Sequence, residues 1–134
     1  AGVHCLYMSE DEATAAAEYQ RHAVRQRQPF VTFFAEVRFQ DILDLCVPAG
    51  LDSVGLTNAA LHFPWVTASR PTLTQLLGEA VSRQSRIAAI RFPSDAAAER
   101  GHEGSNLVIF KDSVQPPDKV RILGSTRRFL QSWP

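Results

Sequence analysis

The chain has 134 residues, of which 45% are hydrophobic and 21% are charged, a composition typical of one soluble globular domain. Lysine plus arginine equals aspartate plus glutamate, at 14 each, so no overall charge favours nucleic acid or an anionic membrane as a partner. No apolar run approaches the roughly 20 residues that a membrane-spanning helix needs, and no signal peptide is visible.

The first predicted elements are a short strand and a helix. Residues 3–8 are apolar and β-prone, which predicts a strand. Ser9 and Glu12 match a capping box, in which the serine accepts an amide hydrogen and the glutamate reaches back to the serine amide. The helix should therefore begin here and run to about Arg25, because a proline follows at position 29.

The rest of the chain contains more strands than helices. Apolar periodicity, proline and glycine predict the following elements in order: strands at 30–39 and 42–47, a short helix around 51–60, a helix at 71–84, a strand at 87–92, a loop or short helix at 95–104, a strand at 106–110, a turn at 115–118, and one or two terminal strands from 120. This order predicts an α+β fold with a mixed or antiparallel central sheet flanked by a few helices.

The cysteines and histidines give no sign of a metal site. Cys5 and Cys46 fall in apolar, strand-like runs without metal-ligand spacing, so we expect two reduced thiols in the core. The four histidines form no spaced set. His62 lies in an aromatic loop and either lines a pocket or is an ordinary surface residue.

Five segments, read in order, resemble the RES domain, a family named for a recurring arginine, glutamate and serine. They are LYMSEDEATAAAE at 6–18, ILDLCVP at 42–48, PTLTQLLGEA at 71–80, IRFPSD at 90–95 and NLVIF at 106–110. The resemblance covers about residues 2 to 123, and it rests on the order and spacing of the five segments together.

The resemblance implies a fold related to ADP-ribosyltransferases that binds NAD as a substrate in a central cleft, with no resident cofactor. It implies a cytoplasmic bacterial toxin that breaks the nicotinamide–ribose bond by hydrolysis or phosphorolysis. It also implies an Xre-type antitoxin as the protein partner, with no direct contact to nucleic acid or membrane. Two alternatives stay open: a protein ADP-ribosyltransferase, and a truncated, inactive RES-like domain that works as a protein-binding module.

One departure from the family pattern concerns the arginines, which lie upstream of the tyrosine in RES proteins. This chain begins at Ala1, directly before its first strand. We therefore expect one RES-like domain over residues 1–134 that lacks its N-terminal segment, with the missing arginine supplied by that segment where it exists.

The resemblance also assigns candidate site residues. Cleavage of NAD passes through an oxocarbenium-like ribose, which a carboxylate stabilises, and Glu18 is the candidate. Tyr7 would stack on nicotinamide or bond the ribose; otherwise it is a core tyrosine. Ser94 would meet the ligand at a strand end, and it also suits a helix N-cap. Asn106 would bind a ligand amide, support the site or close a turn, and Ser105 is the rival of Ser94 for the family serine. The predicted catalytic residues are thus Glu18, Tyr7 and Ser94, and the predicted NAD-binding residues are Tyr7, Ser94 and Asn106.

Overall fold

The computed structural model describes residues 3–23, 30–62, 69–84 and 86–124, together with the backbone of a strand at 129–133. The strands are β1 (Cys5–Ser9), β2 (Phe34–Arg38), β3 (Ile42–Asp44), β4 (Ala89–Pro93), β5 (Ser105–Phe110), β6 (Lys119–Leu123) and β7 (Phe129–Trp133). The α-helices are α1 (Glu12–His22), α2 (Pro48–Ser53), α3 (Asn58–Leu61), α4 (Leu73–Ser82) and α5 (Asp95–Ala98). The predicted single-domain α+β fold is confirmed.

The strands form two sheets. A four-stranded sheet has the order β1-β5-β4-β3, with antiparallel pairing except between β3 and β4, which run parallel. A second sheet has the order β2-β6-β7 and is antiparallel. The larger sheet is therefore mixed, and it carries Tyr7 and Asn106, two of the four residues that were predicted to form the site.

The two faces of the larger sheet are covered by different elements. Because side chains alternate along a strand, Leu107 and Ile109 of β5 share one face and pack against Val120 of the second sheet. Val108 and Phe110 point to the opposite face and pack with residues of α2, α3 and α4. We call these the sheet-covered face and the helix-covered face.

The start of α1 differs from the predicted capping box. Asp11 is the N-cap, and its carboxylate accepts the Thr14 amide at 2.8 Å. Ser9 is instead the last residue of β1, where it pairs with Asn106 of β5. The strand extends one residue further than the sequence predicted, so the helix begins after Asp11, and it ends at His22 rather than near Arg25, which lies outside the described residues.

Other elements also have boundaries that differ from the predicted ones. The strand predicted at 30–39 is confined to 34–38, and the one at 42–47 ends at Asp44 because Pro48 begins a helix. The predicted helix around 51–60 is two short helices, α2 and α3. A capping box does occur at α4, where Thr72 and Gln75 cap each other.

The cysteines are free thiols, as predicted, but their predicted burial is wrong. Cys5 is exposed and Cys46 is half-buried, and burial raises the pKa of the Cys46 thiol. Among the described helices, none is long and apolar enough to cross a membrane. No group of three or more metal-ligating side chains lies together within the described residues.

Candidate functional site

The candidate site is built around the carboxylate of Glu18 on α1. The Glu18 side chain is only 12% exposed. Its Oε1 accepts a hydrogen bond from Ser94 Oγ at 2.7 Å and a second from Asn106 Nδ2 at 2.7 Å. Two donors on one oxygen fix the orientation of the carboxylate and offset the cost of its burial.

The two donors are placed by the larger sheet. Ser94 follows β4 and is the N-cap of α5, so its Oγ also accepts the Ala97 amide at 3.1 Å. Asn106 lies in β5 and is fully buried, and its Oδ1 accepts the Ser9 hydroxyl at 2.7 Å. The N-cap role of Ser94 is thus confirmed alongside its contact with Glu18. Asn106 is inside a strand, so the turn interpretation is wrong, and it supports Glu18 from within the sheet.

Tyr7 lies beside this carboxylate on the helix-covered face. It pairs with Val108 across β1 and β5, and its ring meets Phe92 edge-on, with centroids 5.9 Å apart. Burial raises the pKa of Tyr7, and the Glu18 carboxylate raises it further through its charge and a side-chain hydrogen bond. The residue is nevertheless 48% exposed. Tyr7 is therefore not a core tyrosine: its hydroxyl faces Glu18 while part of its ring stays open.

Charged side chains form a rim next to these residues. Asp95, the first residue of α5, contacts His62 Nδ1 through Oδ1 and lies 4.0 Å from Arg21 through Oδ2. Arg21 also pairs with Glu99 at 3.2 Å. On α1, His22 Nε2 lies 3.7 Å from Glu18 Oε2. The structure thus brings together Glu18, Ser94, Asn106 and Tyr7, the predicted site residues, and it adds this rim.

Ser105 belongs to a different cluster, on the sheet-covered face. Arg91 of β4 donates to both oxygens of Glu10 at 2.9 Å, to Asp44 at 3.1 Å and to Ser105 at 3.2 Å. Ser105 also donates to Glu10. The Arg91 hydrogen bonds hold the pKa of Glu10 below its usual value and raise that of Arg91. Ser105 thus lies with Arg91 and Glu10, and it is Ser94 that donates to Glu18.

The sequence contains a signal for this second cluster that was missed. Arg91 and Asp44 are charged residues inside short apolar strands, where an unpaired charge is costly. They are directly opposite each other in the parallel pairing of β3 and β4. Opposite charges inside neighbouring buried strands could have predicted an ion pair, although not the participation of Glu10.

An open cavity of about 960 Å³ lies at the end of the larger sheet, next to Arg91. Its described lining includes four carboxylate residues, which are Glu10, Asp11, Asp52 and Glu103, and the guanidinium of Arg91 is already paired. Ser94 contributes to this lining, whereas Tyr7, Glu18 and Asn106 do not. The Tyr7–Glu18 cluster therefore lies outside this cavity.

Comparison with known proteins gives one positive result. The family model described as RES domain matches residues 1–131, and so includes every predicted site residue. No protein of curated function and no solved structure matches the chain significantly.

Proposed function

This chain belongs to the RES domain family, and on that premise we propose that it cleaves the nicotinamide–ribose bond of NAD⁺. NAD is then a substrate, and no resident cofactor is required. The products are nicotinamide and an ADP-ribosyl group that is transferred to a small acceptor, water or phosphate.

One observation carries this proposal: the buried, doubly hydrogen-bonded carboxylate of Glu18. Breaking the bond to nicotinamide leaves positive charge on the ribose, and a fixed carboxylate stabilises that charge without reorganising. Ser94 and Asn106 bind only Oε1. The second oxygen, Oε2, has a longer contact at 3.7 Å with His22, so it is the oxygen that can face the ribose.

Tyr7 is well suited to bind the nicotinamide ribosyl group. Its half-exposed ring offers an apolar surface for stacking. The pKa of Tyr7 is raised by burial and by Glu18, so the phenol keeps its proton and donates it in a hydrogen bond to Glu18, while its oxygen can accept a hydrogen bond from a ribose hydroxyl. Glu18, Tyr7 and Ser94 are the catalytic residues of this proposal, with Asn106 supporting Glu18.

We further propose that an Xre-type antitoxin neutralises the protein and that the arginine of the family pattern contributes to NAD binding from upstream of Tyr7. Both statements rest on family membership. They predict that expression of the complete gene lowers cellular NAD and arrests growth, and that co-expression of the neighbouring antitoxin gene restores both.

The proposal is tested by measuring nicotinamide release from NAD⁺ by the protein expressed from its complete gene. Glu18→Gln keeps the size of the side chain and removes its charge. A matched control is Glu79→Gln, since Glu79 is an exposed residue of α4 that pairs with Arg83 in the next turn. We expect loss of activity in Glu18→Gln alone.

Three results would contradict the proposal. Equal activity of Glu18→Gln and the wild type would exclude Glu18 as the catalytic carboxylate. Absence of nicotinamide release from the wild type would favour a protein-binding module. Transfer of label from NAD⁺ to proteins of a lysate, with no free ADP-ribose or its phosphate, would instead identify a protein ADP-ribosyltransferase.

A further inference from the structure

The carboxylate of Glu18 is connected to the end of β1 by two hydrogen bonds in series. Ser9, the last residue of β1, donates its hydroxyl to Asn106 Oδ1 at 2.7 Å. Asn106 Nδ2 in turn donates to Glu18 Oε1 at 2.7 Å. Ser9 and Asn106 lie directly opposite each other in the antiparallel pairing of β1 and β5. We call these three side chains the Ser9–Asn106–Glu18 network.

Ser9 determines which way the side-chain amide of Asn106 points. Asn106 is fully buried, so its polar atoms need partners inside the protein. An ionised carboxylate can only accept hydrogen bonds, and the amide nitrogen must therefore face Glu18 while the amide oxygen faces Ser9. The serine hydroxyl donates to that oxygen. Ser9 thus stabilises the one orientation of the amide in which Asn106 donates to Glu18.

The second donor to the same carboxylate oxygen is positioned independently of Ser9. Ser94 donates to Glu18 Oε1 at 2.7 Å, and its own Oγ accepts the Ala97 amide at 3.1 Å as the N-cap of α5. Loss of the Ser9 hydroxyl therefore weakens the Asn106 hydrogen bond and leaves the Ser94 hydrogen bond in place. The carboxylate keeps a donor but is less firmly oriented, so the effect of Ser9 should appear in catalysis and not in the assembly of the site.

We propose that Ser9 is a positioning residue for NAD⁺ cleavage, which acts through Asn106 to orient the Glu18 carboxylate. The inference rests on the proposed function. A carboxylate stabilises the charge that develops on the ribose only to the extent that it is already oriented before the reaction. Strand β1 then serves the site twice, since Tyr7, two residues before Ser9 on the same face, interacts with Glu18 directly. Removal of the Ser9 hydroxyl should therefore lower kcat and leave KM little changed.

The first test measures nicotinamide release by two variants of Ser9 in the protein expressed from its complete gene. Residues that orient a catalytic group from behind contribute about 10-fold to 100-fold, so Ser9→Ala should lower kcat by about that factor. Ser9→Thr keeps a hydroxyl and suits a strand, and it should recover most of the loss. A wild-type kcat in Ser9→Ala, or a loss that Ser9→Thr does not recover, would overturn the proposal.

The second test is a double-mutant cycle on kcat between Ser9→Ala and Asn106→Ala. If Ser9 acts through Asn106, the loss of its hydroxyl should have no further effect on kcat once the Asn106 amide is gone. A merely structural role of Ser9 would instead multiply the two losses, and that result would overturn the proposal. Circular dichroism checks that each variant is folded, and Asn106→Leu, which is similar in size, replaces Asn106→Ala should the latter not fold.

The chain offers a matched control in Ser105, the strand serine directly before Asn106. Its hydroxyl donates to Glu10 on the sheet-covered face, away from Glu18. Ser105→Ala should therefore leave kcat unchanged. If Ser105→Ala lowers kcat as much as Ser9→Ala does, the loss is not specific to the Ser9–Asn106–Glu18 network and the proposal is wrong. A wild type that releases no nicotinamide contradicts the proposed function itself, so the two failures are distinguishable.

Discussion

Removing the Ser94 hydroxyl should destabilise the protein more than the loss of a helix cap alone. Ser94 is 3% exposed, and its Oγ has two partners: it accepts the Ala97 amide at 3.1 Å and donates to Glu18 Oε1 at 2.7 Å. Ser94→Ala therefore uncaps α5 and takes away one of the two hydrogen bonds to the Oε1 atom of a nearly buried carboxylate.

The expected size follows from these two losses. An N-cap is worth about 1 kcal/mol, and a hydrogen bond to a charged group about 1.5–3 kcal/mol. Asn106 keeps its own hydrogen bond to Oε1 at 2.7 Å, so the carboxylate is not left without a donor. We expect Ser94→Ala to lower the free energy of unfolding by about 2–3 kcal/mol.

The matched control is Thr72→Ala at the N-cap of α4. Thr72 is also buried, and its hydroxyl contacts Thr74 and Gln75, which are both uncharged. Thr72→Ala should lower the free energy of unfolding by about 1 kcal/mol. Urea unfolding followed by circular dichroism measures both variants, and a double-mutant cycle with Glu18→Gln isolates the Ser94–Glu18 term. Equal losses in the two single variants, or a cycle with no coupling, would refute the reasoning.

Three further outcomes are expected. Glu18→Gln should lower NAD cleavage by about 100-fold or more, as nicotinamide release would measure. Arg91 lowers the pKa of Glu10, so their pairing is complete above the unfolded-state pKa of about 4.3 and is lost as the pH falls through the lower folded-state value. Glu10→Gln should therefore be less stable than the wild type by under about 1 kcal/mol at neutral pH, and urea unfolding should show that this difference disappears in acid. A Cβ at Gly50 would overlap the backbone oxygen of Asp44, whereas one at Gly78 meets nothing within 4 Å. Gly50→Ala should therefore lower the free energy of unfolding by about 2–3 kcal/mol, and Gly78→Ala should raise it by about 0.5–1 kcal/mol. Thermal unfolding that ranked the two variants the other way would contradict this packing.

The strands and longer helices were predictable because their signals are local. The apolar run at 106–110 and the periodic leucines of α4 require no knowledge of the rest of the chain. The start of α1 was not predictable from local signals, because Ser9 can serve either as a helix cap or as a strand residue. Its pairing with Asn106, 97 positions away, decides the outcome. Local sequence cannot weigh a distant hydrogen bond against a nearby one.

The same limit applies to the candidate site. The resemblance assigned Glu18, Ser94 and Asn106 to one site. It did not predict that Ser94 and Asn106 both donate to the same oxygen of the Glu18 carboxylate. That detail depends on the register of β4 and β5, in which Phe92 is opposite Asn106. The contact of His62 with Asp95 could not be predicted from the sequence either, because it joins α3 to α5 across 33 positions.

The alternation of β4 explains why this domain keeps its two polar clusters apart. Phe92 and Ser94 point to the helix-covered face, where they contact Tyr7 and Glu18. Arg91 points to the sheet-covered face and forms ion pairs with Glu10 and Asp44. A strand has a period of two, so no small shift could bring the Arg91 guanidinium to the carboxylate of Glu18 without turning Ser94 away from it. Arg91 therefore cannot replace the arginine of the family pattern. The Tyr7 side of the sheet has a cation of its own in Arg21 of α1, which pairs with Asp95 and Glu99.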